Sequence, residues 1–282
     1  MEFSFIDALS LPGNPAKPND DAWQQIARAA VVLDGATNLG EPLLPGDSDA
    51  AWIAHFAARR LMAHVQDDAA PHECLRLALG EAEKSFAGLR RRAPKQNYEN
   101  PYASMMLVVA AKDGFEALWF GDCAALVGQP DEAIEIVGEA FDKRAAEARR
   151  VTMLAQAKRV APASASARPQ FLSALRAARN GVNTERGGWL FGPSEAAADH
   201  VRSRTIVAPS GTHVLLASDG FLALASDYGI YDAQGLVAAA RSKGLEAMGR
   251  ELRAVEDGDS EGRRFARFKK SDDATAVLLR LV

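Results

Sequence analysis

Short apolar runs separated by turn-forming residues occupy much of the chain, and this pattern is typical of β-strands. We predict strands over residues 3–8, 22–26, 29–33, 105–111, 115–120, 124–127, 133–137, 201–207, 214–217 and 276–279. Lys112-Asp113-Gly114 is a hairpin signal between two of these strands. Further turns are expected at Gln129-Pro130-Asp131 and at Pro209-Ser210-Gly211. Tight turns between successive strands indicate antiparallel sheets.

Apolar residues recur at helical spacing in other segments. Asp47, Ser48 and Asp49 are favourable N-cap residues for a helix that buries Ile53 and Leu61. Further helices are predicted over residues 71–92, 139–158, 171–179, 233–242 and 245–255. Segment 160–169 is rich in alanine, serine and proline, and fits either a domain linker or a loop within one domain.

These elements predict an α+β fold, a sandwich of two antiparallel β-sheets flanked by pairs of α-helices. One pair of helices follows the third strand, and another precedes the last strand. We expect a single domain over residues 1–282, because acidic strand ends on both sides of segment 160–169 must meet in one site.

Composition excludes several classes of function. The chain has 282 residues, 48% hydrophobic and 25% charged, which is ordinary for a globular protein. Its net charge of −4 gives no reason to expect a nucleic-acid or membrane partner. Basic runs at 90–92 and 263–270 are interpreted as solvated surface. Cys74 and Cys123 are too few for a disulfide framework or a structural zinc site, and they fit a reducing compartment. The N-terminus resembles no signal peptide, so we expect a cytoplasmic protein.

Carboxylates stand at the ends of several predicted strands. The apolar run before Asp34-Gly35 and the run before Asp219-Gly220 both end in Asp-Gly, and Asp272-Asp273 precede the last strand. Asp20, Asp21 and Asp122 also stand beside strand ends. Such strand ends, far apart in sequence, are what a fold needs to gather carboxylates around a metal.

Two explanations of these acidic ends must be weighed. Asp-Gly is a common turn dipeptide, so one such pair after a strand is more often structural than functional. Two pairs together with a third acidic strand end are harder to explain by turns alone. Carboxylate oxygens without soft ligands favour Mg²⁺ or Mn²⁺ over zinc. Two such ions, about 3.5–4 Å apart and sharing a carboxylate and a water, are an arrangement that hydrolyses phosphate esters.

An ordered set of motifs resembles the metal-dependent serine/threonine protein phosphatases of type 2C, the PPM family, in a divergent bacterial-type form. The motifs are Asn19-Asp20-Asp21, VVLDG at 31–35, GDCAA at 121–125, LLASDGF at 215–221 and DDATAVLL at 272–279. They span nearly the whole chain. The resemblance implies a four-layer α-β-β-α sandwich, in agreement with the strand and helix pattern.

The resemblance also implies a role for each acidic residue. Asp34 would bridge two Mn²⁺ or Mg²⁺ ions, and the carbonyl of Gly35 would bind the second ion. Asp219 and Asp272 would complete the first site, so that Asp34, Asp219 and Asp272 act in catalysis through the metal-bound water. The implied outer ligands are Asp20 and Asp21, which hold metal-bound waters, and Asp122, which belongs to a weaker third site.

The chain departs from the family pattern at several positions. Ala223 stands where members often have another aspartate, and Ala36 stands where some have a histidine general acid. Cys123-Ala124 replaces Ser-Arg. No arginine precedes Asn19-Asp20-Asp21, and Lys17, the nearest cation, is the candidate phosphate ligand.

The resemblance implies hydrolysis of phosphoserine or phosphothreonine in a protein by direct attack of metal-bound water, without a covalent intermediate. A pseudophosphatase that acts as a binding module is the alternative, favoured by the altered loops and opposed by retention of the three core aspartates. A third hypothesis is a phosphoesterase acting on a small molecule. A narrow cleft at residues 140–195 would favour this hypothesis, and an open cleft would favour a phosphoprotein substrate. The sequence leaves the oligomeric state and the choice of metal open.

Overall fold

The computed structural model describes residues 1–129, 134–163 and 167–282. Its strands are β1 (Phe3–Leu11), β2 (Asp21–Ile26), β3 (Ala29–Gly35), β4 (Ala103–Ala111), β5 (Gly114–Phe120), β6 (Ala124–Gly128), β7 (Glu135–Val137), β8 (Arg202–Val207), β9 (His213–Ala217) and β10 (Ala274–Leu281). Its α-helices are α1 (Asp49–Gln66), α2 (Pro71–Leu89), α3 (Ala140–Lys158), α4 (Ala167–Arg179), α5 (Asp219–Ser226), α6 (Ala233–Lys243) and α7 (Leu245–Gly258).

The strands form two five-stranded sheets, in the orders β1-β10-β9-β6-β7 and β2-β3-β4-β5-β8. Every pairing between these strands is antiparallel. The α+β sandwich predicted from the sequence is therefore confirmed, with strand ends that differ by a few residues. Parts of three predictions lie outside the described residues: the first residue of the 133–137 strand, part of the 129–131 turn and part of the 160–169 loop.

The core has three apolar layers, which follow from alternation along the strands. On β3, Val31 and Leu33 face α1 and α2, whereas Ala30 and Val32 face the other sheet. The opposite sheet packs its outer face on α5, α6 and α7. This alternation fixes which strand residues reach each layer, and it leaves the strand ends free to carry polar groups.

Along the described strands, the chain passes from one sheet to the other four times, and the passage after β5 carries Asp122. Strand β5 pairs with β4 and β8, but the next strand, β6, pairs with β7 and β9 in the other sheet. The crossing occurs at Gly121-Asp122-Cys123, where Gly121 has a positive φ of 73°. The run of strands from 103 to 128 is therefore shared between two sheets, and Asp122 stands where the chain passes from one to the other.

Helix α5 is not among the helices predicted from the sequence. Asp-Gly is a common turn dipeptide, but after β9 the chain enters a helix directly at Asp219. Gly220 does not have a positive φ. Leu222 and Leu224 of this helix are buried against the sheet that contains β9. No helix within the described ranges is long and apolar enough to cross a membrane.

Candidate metal centre

Strand pairing places residues from three neighbouring strands side by side in one sheet. Asp34 on β3 is in register with Asp21 on β2 and with Ser104 on β4. The hydroxyl of Ser104 hydrogen-bonds the carboxylate of Asp122, at the crossing between the sheets. Both faces of β3 are packed, one against α1 and α2 and the other against the opposite sheet, so the packing that fixes the register also fixes the position of these polar residues.

Three carboxylates meet at this end of the sandwich. Asp34, Asp122 and Asp219 each contribute one carboxylate oxygen to a group of three atoms that lie within 4.8 Å of one another. Asp219 reaches this point because it occupies the first position of α5, directly after β9. A helix N-terminus carries a partial positive charge, which favours an ionised carboxylate there.

The two Asp-Gly glycines are explained by close backbone packing. A Cβ at Gly220 would lie closer than 3.0 Å to the carbonyl oxygen of Asp273. A Cβ at Gly35 would lie closer than 3.0 Å to the carbonyl oxygens of Asp20 and Ala50. Glycine is therefore required at both positions because neighbouring main chain occupies the space of a side chain. Gly35 also lines the cavity described below.

The predicted outer ligands, Asp20 and Asp21, are both buried. Ser48, which caps α1 at Ala51, also hydrogen-bonds the carboxylate of Asp20. The hydroxyl of Ser218 donates to Oδ2 of Asp21 at 2.8 Å. Asp21 is only 1% exposed, and its Oδ1 has no hydrogen-bond partner within the described residues. A buried carboxylate oxygen without a donor is unfavourable unless a cation or an ordered water satisfies it.

Asp272 and Asp273 are adjacent in sequence, but their surroundings differ. The carboxylate of Asp273 accepts hydrogen bonds from the backbone N–H of Gly13 at 2.6 Å and of Asp20 at 2.8 Å. Through these hydrogen bonds, Asp273 connects the N-terminal loop to the segment before the last strand. Asp272 lines the cavity with Asp34 and Asp219, and it forms an ion pair with Lys269.

Burial and like charge raise the pKa of two of these carboxyl groups. Burial raises the pKa of Asp34 well above its usual value of 3.8, and the charges of Asp219, Asp21, Asp272 and Asp122 raise it further. Burial, followed by the charge of Asp273, raises the pKa of Asp21 well above 3.8. The cluster is therefore electrostatically unfavourable as a set of bare anions.

The residues present fit divalent metal ions. The donors are all oxygens, which suits Mg²⁺ and Mn²⁺. A divalent ion with its bound waters would satisfy the orphaned Oδ1 of Asp21 and offset the repulsion that raises the pKa of Asp34. Asp34, Asp122 and Asp219 are the side chains placed to hold an ion, and Asp272 lies on the wall of the same cavity.

We expect the stabilisation by added Mn²⁺ to grow with pH. The raised pKa of Asp34 and Asp21 means that the folded protein binds protons more tightly than the unfolded chain, so the metal-free protein loses stability as pH rises through these folded-state pKa values. Metal binding needs the deprotonated carboxylates. At a concentration of about 100 times Kd, Mn²⁺ should raise the melting temperature by roughly 5 °C at pH 7.5.

The measurement is a thermal melt with EDTA and with Mn²⁺ at each pH from 5 to 7.5. Because both melts use the same protein at the same pH, the titration of groups outside the cluster contributes little to the difference in melting temperature between Mn²⁺ and EDTA. A shift that does not diminish towards pH 5 would contradict the assignment of these carboxylates as ligands.

A cavity of about 460 Å³ opens above the carboxylates. Its acidic floor contains Asp34, Asp219 and Asp272, and Ala223 offers no ligand there. Leu39, Leu175, Tyr228 and Phe268 contribute apolar wall, and the basic lining residues are Arg150, Arg179, Arg267 and Lys269. The site therefore combines a negative floor with a positive wall.

Helix α4 is tied to the loop that follows Asp34-Gly35. Nη1 of Arg179 donates to the carbonyls of Ala36 at 3.1 Å and Thr37 at 2.7 Å. Nε of Arg176 donates to the carbonyl of Leu39 at 2.8 Å. Residues 140–195 thus supply part of the cavity wall and also hold the loop beside the metal centre.

Lys17, the candidate phosphate ligand, does not contribute to the cavity wall. It is exposed on the N-terminal loop. Contrary to the expectation from the sequence, the basic run 263–270 is not solvated surface throughout: Arg267 is buried, and Lys269 lines the cavity. The position of Lys269, three residues before Asp272, was the signal in the sequence that could have identified it.

Comparisons with known proteins agree with this geometry. The family model described as Protein phosphatase 2C matches residues 15–252. The chain is similar in structure to the Mycobacterium tuberculosis serine/threonine phosphatase PstP/Ppp, with 13% identity, a TM-score of 0.58 and coverage of 100% of this chain and 99% of that chain.

Two further solved structures show the same fold. The catalytic domain of PstP in complex with two manganese ions is 16% identical, with a TM-score of 0.56 and coverage of 100% of this chain and 99% of that chain. The phosphatase MsPP from Mycobacterium smegmatis, in complex with cacodylate, is 17% identical, with a TM-score of 0.56 and coverage of 99% of this chain and 100% of that chain. No curated protein sequence matches significantly. The family match over most of the chain confirms the resemblance seen in the motifs: the chain belongs to the protein phosphatase 2C family.

Proposed function

We propose that this protein is an active metal-dependent phosphatase that hydrolyses phosphoserine and phosphothreonine in proteins. The observation that carries the proposal is the clustering of Asp34, Asp122 and Asp219 within 4.8 Å. Asp34 and Asp219 also lie on the floor of the cavity whose wall is basic. A negative floor attracts divalent cations, and a positive wall attracts the phosphate of a substrate.

The proposed ligand roles are those that the resemblance to the family implies. Asp34 would be shared by two ions, the carbonyl of Gly35 would hold the second, and Asp219 and Asp272 would hold the first. Asp20 and Asp21 would act through waters, and Asp122 would serve a weaker third site to which Ala223 supplies no ligand. Bound divalent ions lower the pKa of water and neutralise charge on phosphoryl oxygens. The two manganese ions in PstP and the all-oxygen donor set support Mn²⁺ or Mg²⁺ for this chain.

In the proposed reaction the bond between phosphorus and the serine or threonine oxygen breaks, and water supplies the new oxygen on phosphorus. The basic side chains of the cavity orient the phosphate. Ala36 carries no titratable group, so we expect the leaving oxygen to take its proton from water. The products are inorganic phosphate and the free hydroxyl of the substrate.

The second candidate function is a pseudophosphatase that binds partners without efficient turnover. Two observations favour it: Asp272 is already paired with the ammonium of Lys269, and Ala223 provides no carboxylate. Hydrolysis of a small phosphate ester is a third candidate. The cavity is neither fully enclosed nor a flat surface, so its shape is compatible with a small molecule and with a phosphorylated side chain.

The test is phosphate release from para-nitrophenyl phosphate and from phosphoserine and phosphothreonine peptides, with EDTA, Mg²⁺ or Mn²⁺. We expect release that needs the metal, is lost with EDTA and disappears in the Asp219→Ala variant. Activity on the aryl ester with none on peptides would favour the small-molecule candidate. No release with any metal, while Mn²⁺ still raises the melting temperature, would favour the pseudophosphatase.

We also propose a cytoplasmic location, since Cys74 and Cys123 are both free and buried, as is usual in a reducing compartment. The proposed partner is a phosphorylated protein.

A further inference from the structure

Four basic side chains of the described residues line the cavity, and three of them are occupied in holding the main chain. Arg179 donates to the loop after β3, and Nη2 of Arg150 donates to the carbonyl of Ala174 at 3.0 Å. Arg267 is buried and binds the carboxylate of Asp259 at 2.9 Å together with nearby carbonyls. These arginines therefore organise the walls of the cavity.

Lys269 differs from the three arginines because its partners are polar side chains at the metal centre. Its ammonium forms an ion pair with Asp272 and lies 3.3 Å from Oγ1 of Thr37. Its side chain is 32% exposed, so a ligand in the cavity has access to it. An ammonium has three N–H donors, and the described residues take up two of them.

We infer that Lys269 is a phosphate-binding residue of this chain. The inference rests on the proposed function, since it names the group that would contact the phosphate at the same site. Without a divalent ion, the ammonium serves as the counter-ion of Asp272. When a divalent ion neutralises the carboxylates, a phosphate oxygen becomes the stronger acceptor for the ammonium. Lysine suits this exchange of partners, because its charge sits on a flexible stem with rotatable donors.

This assignment accounts for a departure noted in the sequence. No arginine precedes Asn19-Asp20-Asp21, and Lys17 lies on an exposed loop outside the cavity. Lys269 brings a positive charge to the same acidic centre from the opposite end of the chain. Thr37, on the loop that Arg179 holds, fixes the direction of the ammonium.

The test uses Lys269→Met, which removes the charge and keeps much of the side-chain volume. Lys270→Ala is the matched control, because the neighbouring lysine pairs with Asp257 on the surface. Inorganic phosphate binding is measured by calorimetry at saturating Mg²⁺, and Mn²⁺ binding is measured by electron paramagnetic resonance.

We expect Lys269→Met to weaken phosphate binding by about ten-fold or more, since a charge-assisted hydrogen bond is lost. The same variant should bind Mn²⁺ as tightly as the wild type or more tightly, because Asp272 loses a competing cation. Lys269→Arg should recover most of the phosphate affinity, and Lys270→Ala should leave both affinities unchanged.

A merely structural role for Lys269 would weaken phosphate and Mn²⁺ binding together, and this result would overturn the inference. Unchanged phosphate binding in Lys269→Met, or a wild type that binds no phosphate in Mg²⁺, would overturn it as well. These readouts do not need turnover. An inactive wild type whose phosphate affinity still depends on Lys269 would contradict the proposed function and support the inference.

Discussion

Replacing Asp34 by asparagine should abolish phosphate release and, in EDTA, raise the stability of the protein. Asp34 is the carboxylate that neighbours Asp219, Asp21, Asp272 and Asp122, and we propose that it is shared between two ions. Loss of several kcal/mol of charge stabilisation in the transition state corresponds to a fall in turnover of about a thousand-fold or more. Metal-dependent release of phosphate from a peptide measures this effect.

The Asp34→Asn variant should lose turnover but gain stability in EDTA. The gain in stability follows from the raised pKa of Asp34 in the wild type. At neutral pH the metal-free protein must either ionise this half-buried group among like charges or hold a proton there, and each option lowers the free energy of unfolding. Asparagine removes that penalty, so the free energy of unfolding in EDTA should be higher for the variant than for the wild type.

Asp113→Asn is the matched control for this experiment. Asp113 lies in the exposed hairpin turn between β4 and β5, away from the cluster. It should change neither turnover nor stability appreciably. An Asp34→Asn variant that kept metal-dependent turnover, or that was less stable than the wild type in EDTA, would contradict the assignment.

Replacing Gly220 by alanine should strongly destabilise the protein and disorganise the metal centre. The added Cβ would lie closer than 3.0 Å to the carbonyl oxygen of Asp273, which is backbone and cannot rotate away. Relief of the clash must move either the start of α5, which carries Asp219, or the segment that carries Asp272. Overpacking of this kind costs about 1–3 kcal/mol.

Gly88→Ala supplies the matched comparison. Gly88 lies near the end of α2, and a Cβ there would meet no atom within 4 Å. Alanine should therefore stabilise this helix by roughly 0.5–1 kcal/mol. Chemical denaturation with and without Mn²⁺ measures both variants. If Gly220→Ala retained wild-type stability and Mn²⁺ affinity, close backbone packing would not be the reason for glycine at this position.

The sequence was sufficient to locate the acidic strand ends, because the end of a short apolar run marks where a buried strand stops. Asp34 and Asp219 follow directly from that pattern, and Asp272 from the final strand. An apolar run identifies a buried strand but carries no information on which sheet the strand joins. The passage of the chain from β5 to the other sheet at Asp122 was therefore not predictable.

Other features depended on contacts between distant residues. Asp-Gly after β9 suggested a turn, and the eight-residue helix α5 is too short and too apolar to show a polar face. The different surroundings of Asp272 and Asp273 arise from backbone N–H groups at Gly13 and Asp20. Lys269 belongs to a run of charged residues, and such runs are usually solvated surface. Its position beside Asp272 is visible only in the folded chain.

The position of β10 has a consequence for biosynthesis. This strand pairs with β1 on one side and β9 on the other, so its sheet cannot close before β10 has been synthesised. Asp272, two residues before β10, is the last of the proposed ligands in the chain. The proposed metal centre is therefore completed only after β10 has joined the sheet, and a nascent chain or one truncated before Asp272 should not act on phosphorylated proteins.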